Sequence, residues 1–127
     1  MTKPMPKSAA RPRKGPDPAA ILAARAFLAR ASKSFDVVGA RLYGSRARGD
    51  YKKYSDVDVA VLLRGARKER GDTWDAAMEL ASIAFDSLDD SDLYVSPLPV
   101  WEADWERPEQ HSNPRLLENI RREGVVL

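Results

Sequence analysis

Residues 37–63 read VVGARLYGSRARGDYKKYSDVDVAVLL, and this stretch decides the fold. Val37, Val38, Leu42 and Tyr43 favour extended backbone and stop at Gly44, which predicts a first strand over 37–43. A polar, glycine-containing connection from Ser45 to Tyr54 follows. Along 55–63, Asp56, Asp58, Ala60 and Leu62 fall on one face of a strand, and Val57, Val59, Val61 and Leu63 fall on the other. A second strand is therefore predicted, with two carboxylates side by side on it.

Those carboxylates carry the chemistry. Spaced two apart on a strand they stand about 6.6 Å apart, and at an effective dielectric of about 20 such charges repel by about 2.5 kcal/mol. Folding has no use for that cost. A divalent cation between them turns repulsion into attraction, and hard Mg²⁺ prefers paired carboxylates, so Asp56 and Asp58 read as a metal site. Gly44 lets backbone approach an anion closely, and Ser45 adds a hydroxyl and an amide, which suits a phosphate. Arg46 and Arg48, then Lys52 and Lys53, supply positive charge for a polyphosphate that the aspartates would otherwise repel. A metal pair beside a phosphate cradle suggests a nucleotide.

Outward from this stretch, Asp17–Pro18 is a helix cap followed by proline at the first helical position, and Ile21, Ala24, Phe27, Leu28 and Ala31 recur at helical spacing. A helix over 18–33 is predicted. After a charged loop, Asp72 is expected to cap a long helix. Its stripe of Trp74, Ala77, Met78, Ala81, Ala84, Phe85 and Leu88, widened by Leu80, is expected to pack on the sheet. A third strand over 92–100 contains Pro97 and Pro99, which place its far end at a sheet edge or in a loop. Trp101 and Trp105 then flank a short acidic segment, with core packing the favoured role. Asn113–Pro114 repeats the cap-plus-proline signal, and Gly124 closes a last helix. The order αββαβα defines a small α+β domain: a mixed β-sheet with flanking helices.

Composition narrows the function. The 127 residues suffice for one modest core, which leaves no room for a second, substrate-binding domain. The absence of cysteine excludes disulfides and thiolate metal sites and fits a reducing, cytoplasmic setting. A single His111, expected on a surface loop, excludes a histidine-cluster metal site. The longest apolar run, Ala19 to Ala24, is far too short to cross a membrane. The basic balance belongs to residues 1–16, where Lys3, Lys7, Arg11, Arg13 and Lys14 meet no acid; the remaining residues hold 16 bases against 19 acids. Nucleic acid is therefore not expected as the direct substrate. Residues 1–16 also contain four prolines and are expected to form a disordered basic tail, with the folded domain over 17–127.

The segments Leu42-Tyr43-Gly44-Ser45-Arg46-Ala47-Arg48-Gly49 and Ser55-Asp56-Val57-Asp58-Val59-Ala60-Val61 have the G-S-x10-D-x-D spacing of the DNA polymerase β-like nucleotidyltransferases, and resemble the minimal nucleotidyltransferase subfamily. The likeness is strong over 37–63 and looser over 92–124. It implies a polymerase β-like palm fold and transfer of AMP from ATP to an acceptor hydroxyl with two Mg²⁺ ions. In that scheme Asp56 and Asp58 hold both metals, Gly44 and Ser45 hold the terminal phosphates, and Arg46 or Arg48 offsets charge on the leaving pyrophosphate. The family places a third acid on the next strand, facing the pair. With Val95-Ser96-Pro97 aligned to that strand, Tyr94 falls at the acid position, and Asp92, two residues earlier, is expected to complete the metal site. The resemblance further implies a hetero-oligomer with a HEPN-type ribonuclease toxin, silenced by adenylylation of a tyrosine. A binding-only antitoxin and a transferase for a small hydroxylated molecule are the competing readings.

Overall fold

The structure, a computed structural model, describes residues 15–127. The expected tail lies outside the described residues except for Gly15 and Pro16. The chain runs α1 (Pro18–Ala31), β1 (Val37–Tyr43), α2 (Ser45–Arg48), β2 (Val57–Leu63), α3 (Asp72–Asp86) and α4 (Leu88–Ser91). It continues through β3 (Val95–Trp101), α5 (Glu102–Glu106), a 3-10 turn (Pro108–Gln110), α6 (Pro114–Glu123) and β4 (Val125–Val126). The strands form one mixed sheet ordered β3-β2-β1-β4. β1 pairs antiparallel with β2 and β4, and β2 pairs parallel with β3. This is the expected α+β architecture.

Capping chemistry sets the helix starts. Asp17 Oδ1 accepts the Ala19 amide at 3.1 Å, and Asn113 Oδ1 accepts that of Leu116 at 3.2 Å, each just ahead of a proline. Asp72 behaves differently from expectation. Gly71 precedes the helix, and the Asp72 carboxylate turns back to accept the amides of Lys68 and Glu69 at 2.9 and 2.8 Å. These two bonds hold its pKa below the usual carboxylate value.

The sheet buries both faces. On one side Leu42, Val57, Val59, Val61, Leu63 and Val95 pack against Phe27 and the alanines of α1 and against Ala76, Leu80 and Ala84 of α3. On the other, Ala60, Leu62 and Val100 pack against Trp105, Leu117 and Ile120. The stripe expected on α3 is therefore corrected. Leu80 and Ala84 of that stripe are buried, joined by Ala76, whereas Trp74, Met78 and Phe85 are exposed. Small alanines let the helix axis lie close to the sheet, which bulky Trp74 and Phe85 would prevent.

β3 is an edge strand, where Pro97 and Pro99 deprive no second neighbour of a ladder amide. It starts at Val95 rather than Asp92. Asp92 ends α4 in the left-handed conformation, φ 64°, outside the ladder. Trp101 is the last residue of β3 and donates its indole N–H to Thr73 Oγ1 at 2.8 Å. Trp105 is buried between Arg41 and Arg121, whose guanidinium carbons lie 5.2 and 4.1 Å from its ring centre.

Candidate phosphate and metal site

Chain reversal at the end of β1 builds the site. Gly44 adopts φ 77° and ψ −159°, a region open in practice only to glycine, and so turns the chain from β1 straight into α2. The amides of Ala47 and Arg48 bond to Gly44 O, and Gly49, at φ 95°, closes the turn. The first amides of a helix have no intrahelical partner, so those of Ser45 and Arg46 are the ones a phosphate would use.

Asp58 faces this turn. Tyr43 and Asp58 pair across the β1·β2 ladder, and a side chain at residue 44 would overlap Asp58 Oδ2. Asp56 lies just ahead of β2 and is exposed, whereas Asp58 is half-buried inside it. Burial, and secondarily the charge of Asp56, push the Asp58 carboxyl above the usual carboxylate range, while Arg48 opposes the shift. That strain is what a cation beside the pair would relieve. Burial likewise pushes the Tyr43 phenol up to about 12, with a smaller contribution from Asp58.

The two arginines of α2 have different tasks. Arg46 was expected at the phosphate, but its side chain is only 4% exposed and is enclosed by protein partners. Nη1 donates to Asp17 Oδ2 at 2.7 Å, Nε to Ser55 O at 2.9 Å, and Nη2 to Lys53 O at 3.1 Å and Lys52 O at 3.4 Å. The guanidinium also stacks on Tyr51 at 4.6 Å. Arg46 thus braces the connection that carries Asp56, a structural role. Nothing in its sequence neighbourhood separates it from Arg48; only Asp17, 29 residues away, does. Arg48 remains 30% exposed at the edge of the turn and donates to Asp50 at 3.2 Å and Glu123 at 3.5 Å.

The third acid is where expectation and structure diverge. Val57 N donates to Tyr94 O, Val57 pairs with Val95, and Asp58 pairs with Ser96. The residue beside Asp58 on β3 is therefore a serine. Asp92 lies exposed beyond the strand, and among the described residues no group of three or more acids, histidines or cysteines is placed to hold a metal. The donors present fit one divalent ion on Asp56 and Asp58; a second ion lacks its carboxylate. A cavity of about 230 Å³ adjoins the turn, between Tyr43, Gly44 and Arg48 on one side and Leu116, Asn119, Ile120 and Glu123 of α6 on the other. A larger cleft, about 540 Å³, opens at the far end of the sheet beside Trp101 and His111 and contains neither Asp56 nor Asp58.

A mixed sheet with a glycine–serine turn at one strand end and an Asp-x-Asp pair on the next defines a domain built to handle nucleotide phosphates. Residues 24–122 match the family model of the nucleotidyltransferase domain, and the chain belongs to that family. The fold resembles the crystal structure of a candidate nucleotidyltransferase from Sulfolobus solfataricus, with 19% identity, a TM-score of 0.52 and 89% of each chain covered. No curated protein shows significant similarity. Among the described residues no helix is long and apolar enough to cross a membrane.

Proposed function

We propose that the chain transfers AMP from ATP to a hydroxyl of a partner protein, a tyrosine of a HEPN-type ribonuclease toxin, and thereby acts as its antitoxin. The observation that supports the transferase reading is the close fit of Asp58 beneath Gly44, which sets a carboxylate against the glycine–serine turn. Asp56 and Asp58 would hold Mg²⁺, which when bound neutralises phosphate charge and lowers the acceptor's pKa. Gly44 and Ser45 orient the terminal phosphates, and Arg48 offsets charge on the departing pyrophosphate. The acceptor oxygen bonds to the α-phosphorus as the bond to the bridging oxygen breaks.

Ser96 beside Asp58, in place of an acid, favours a second reading: an antitoxin that neutralises by binding alone. Asp56→Asn separates the two. Under the transferase reading, co-expression of this variant fails to protect cells from the toxin; under the binding reading protection persists.

A further inference from the structure

Three bulky apolar residues of α3 have no work in the core. Trp74, Met78 and Phe85 are 68%, 53% and 68% exposed, while a separate stripe of Ala76, Leu80 and Ala84 packs on the sheet. Single exposed apolar residues are ordinary, but these three recur with Ala81 at spacings of four, three and four. That is the heptad seam by which one helix packs against another, extending about 16 Å along α3. On one side the seam is flanked by Asp75, Glu79, Ser82 and Asp86, and on the other by Ala77 and Ala84. α3 itself carries Asp72, Asp75, Glu79 and Asp86 and no lysine or arginine, while Arg67 and Lys68 face Asp72 at its start and Arg30 of α1 lies near Asp86 at its end, so the acidic stretch beside the seam is centred on Asp75 and Glu79.

We infer that the outer face of α3 is a docking surface for an amphipathic, basic helix of another protein. The apolar seam calls for a helical partner with its own apolar stripe, and the acids call for lysines or arginines beside that stripe. A second copy of this chain is disfavoured, because α3 carries Asp72, Asp75, Glu79 and Asp86 without a base and would meet its own charge. An anionic lipid surface is disfavoured for the same reason. α3 packs on the sheet face opposite Asp58, so a helix seated there leaves the Gly44–Asp58 cleft open. The surface stands independently of the transfer reaction.

The test uses the full chain and two labelled synthetic helices of about 18 residues, one of leucine and lysine at heptad spacing and one with glutamate replacing lysine. Fluorescence anisotropy is expected to show saturable binding of the lysine helix, at least about tenfold tighter than the glutamate helix. Met78→Asp with Phe85→Asp is expected to remove that binding. Both positions are exposed, and an unchanged thermal melt will show that the fold is kept. The triple variant Asp75→Lys, Glu79→Lys, Asp86→Lys is expected to reverse the preference toward the glutamate helix. Equal binding of both helices, binding that survives the Met78 and Phe85 changes, or a dimer that these changes abolish would overturn the assignment.

Discussion

Gly44 and Asp58 occupy adjoining space so closely that residue 44 can bear no side chain: a Cβ there would overlap Asp58 Oδ2. The glycine–serine turn and the carboxylate are therefore one unit, and a change at either should be felt at both. Gly44→Ala combines that overlap with a positive φ of 77°. It should cost about 1–3 kcal/mol of stability and abolish the thermal stabilisation that ATP with Mg²⁺ gives the wild type. Stabilisation by nucleotide that survives in the variant would separate the turn from the site.

The Arg46–Asp17 pair predicts a stability effect where the sequence suggests a binding one. Both side chains are under a tenth exposed, and breaking a buried pair leaves an uncompensated charge. Arg46→Ala and Asp17→Ala should each lower unfolding stability by about 3–5 kcal/mol in urea denaturation. Intact stability with weakened ATP binding would return Arg46 to the phosphate.

Under the proposed transferase reading, Ser96 is the position from which a third carboxylate would join Asp56 and Asp58. Because it pairs with Asp58 on the edge strand, Ser96→Asp adds a third carboxylate. Transfer measured at limiting Mg²⁺ should rise by about tenfold, as affinity follows the number of charged ligands. Asp92→Asn should leave transfer unchanged, since Asn tolerates the left-handed backbone there. Loss of transfer in Asp92→Asn would place Asp92 at the metal after all.

Tyr43 gives a pH signature. Its phenol is raised to about 12 mainly by burial, so between about pH 10 and 12 the folded chain keeps a proton that the unfolded chain releases. Stability is thus lost as pH rises through that window. Tyr43→Phe should flatten this decline, and the phenolate absorbance lost on mutation should appear only near the top of the range. Ionisation of Tyr43 near pH 10 would contradict its burial.

Much of this was legible beforehand, for local reasons. The bounds of β1, the two cap-plus-proline starts and the Asp-x-Asp pair depend on neighbours in sequence. What escaped depended on distant contacts. Arg46 and Arg48 look alike until Asp17 claims the first. α3 has two apolar stripes, and periodicity alone favours the bulky one, whereas the sheet accepts the small one. A left-handed turn at Asp92 shifted the start of β3, and β4, two residues long, leaves no periodic signal.

Intact-mass spectrometry of the partner co-expressed with this protein, after incubation with ATP and Mg²⁺, tests the central claim most directly. The account predicts a gain of one or more AMP units on the partner with the wild type and none with Asp58→Ala. An unmodified partner held in a stable complex by both proteins would contradict it and leave binding alone as the means of neutralisation.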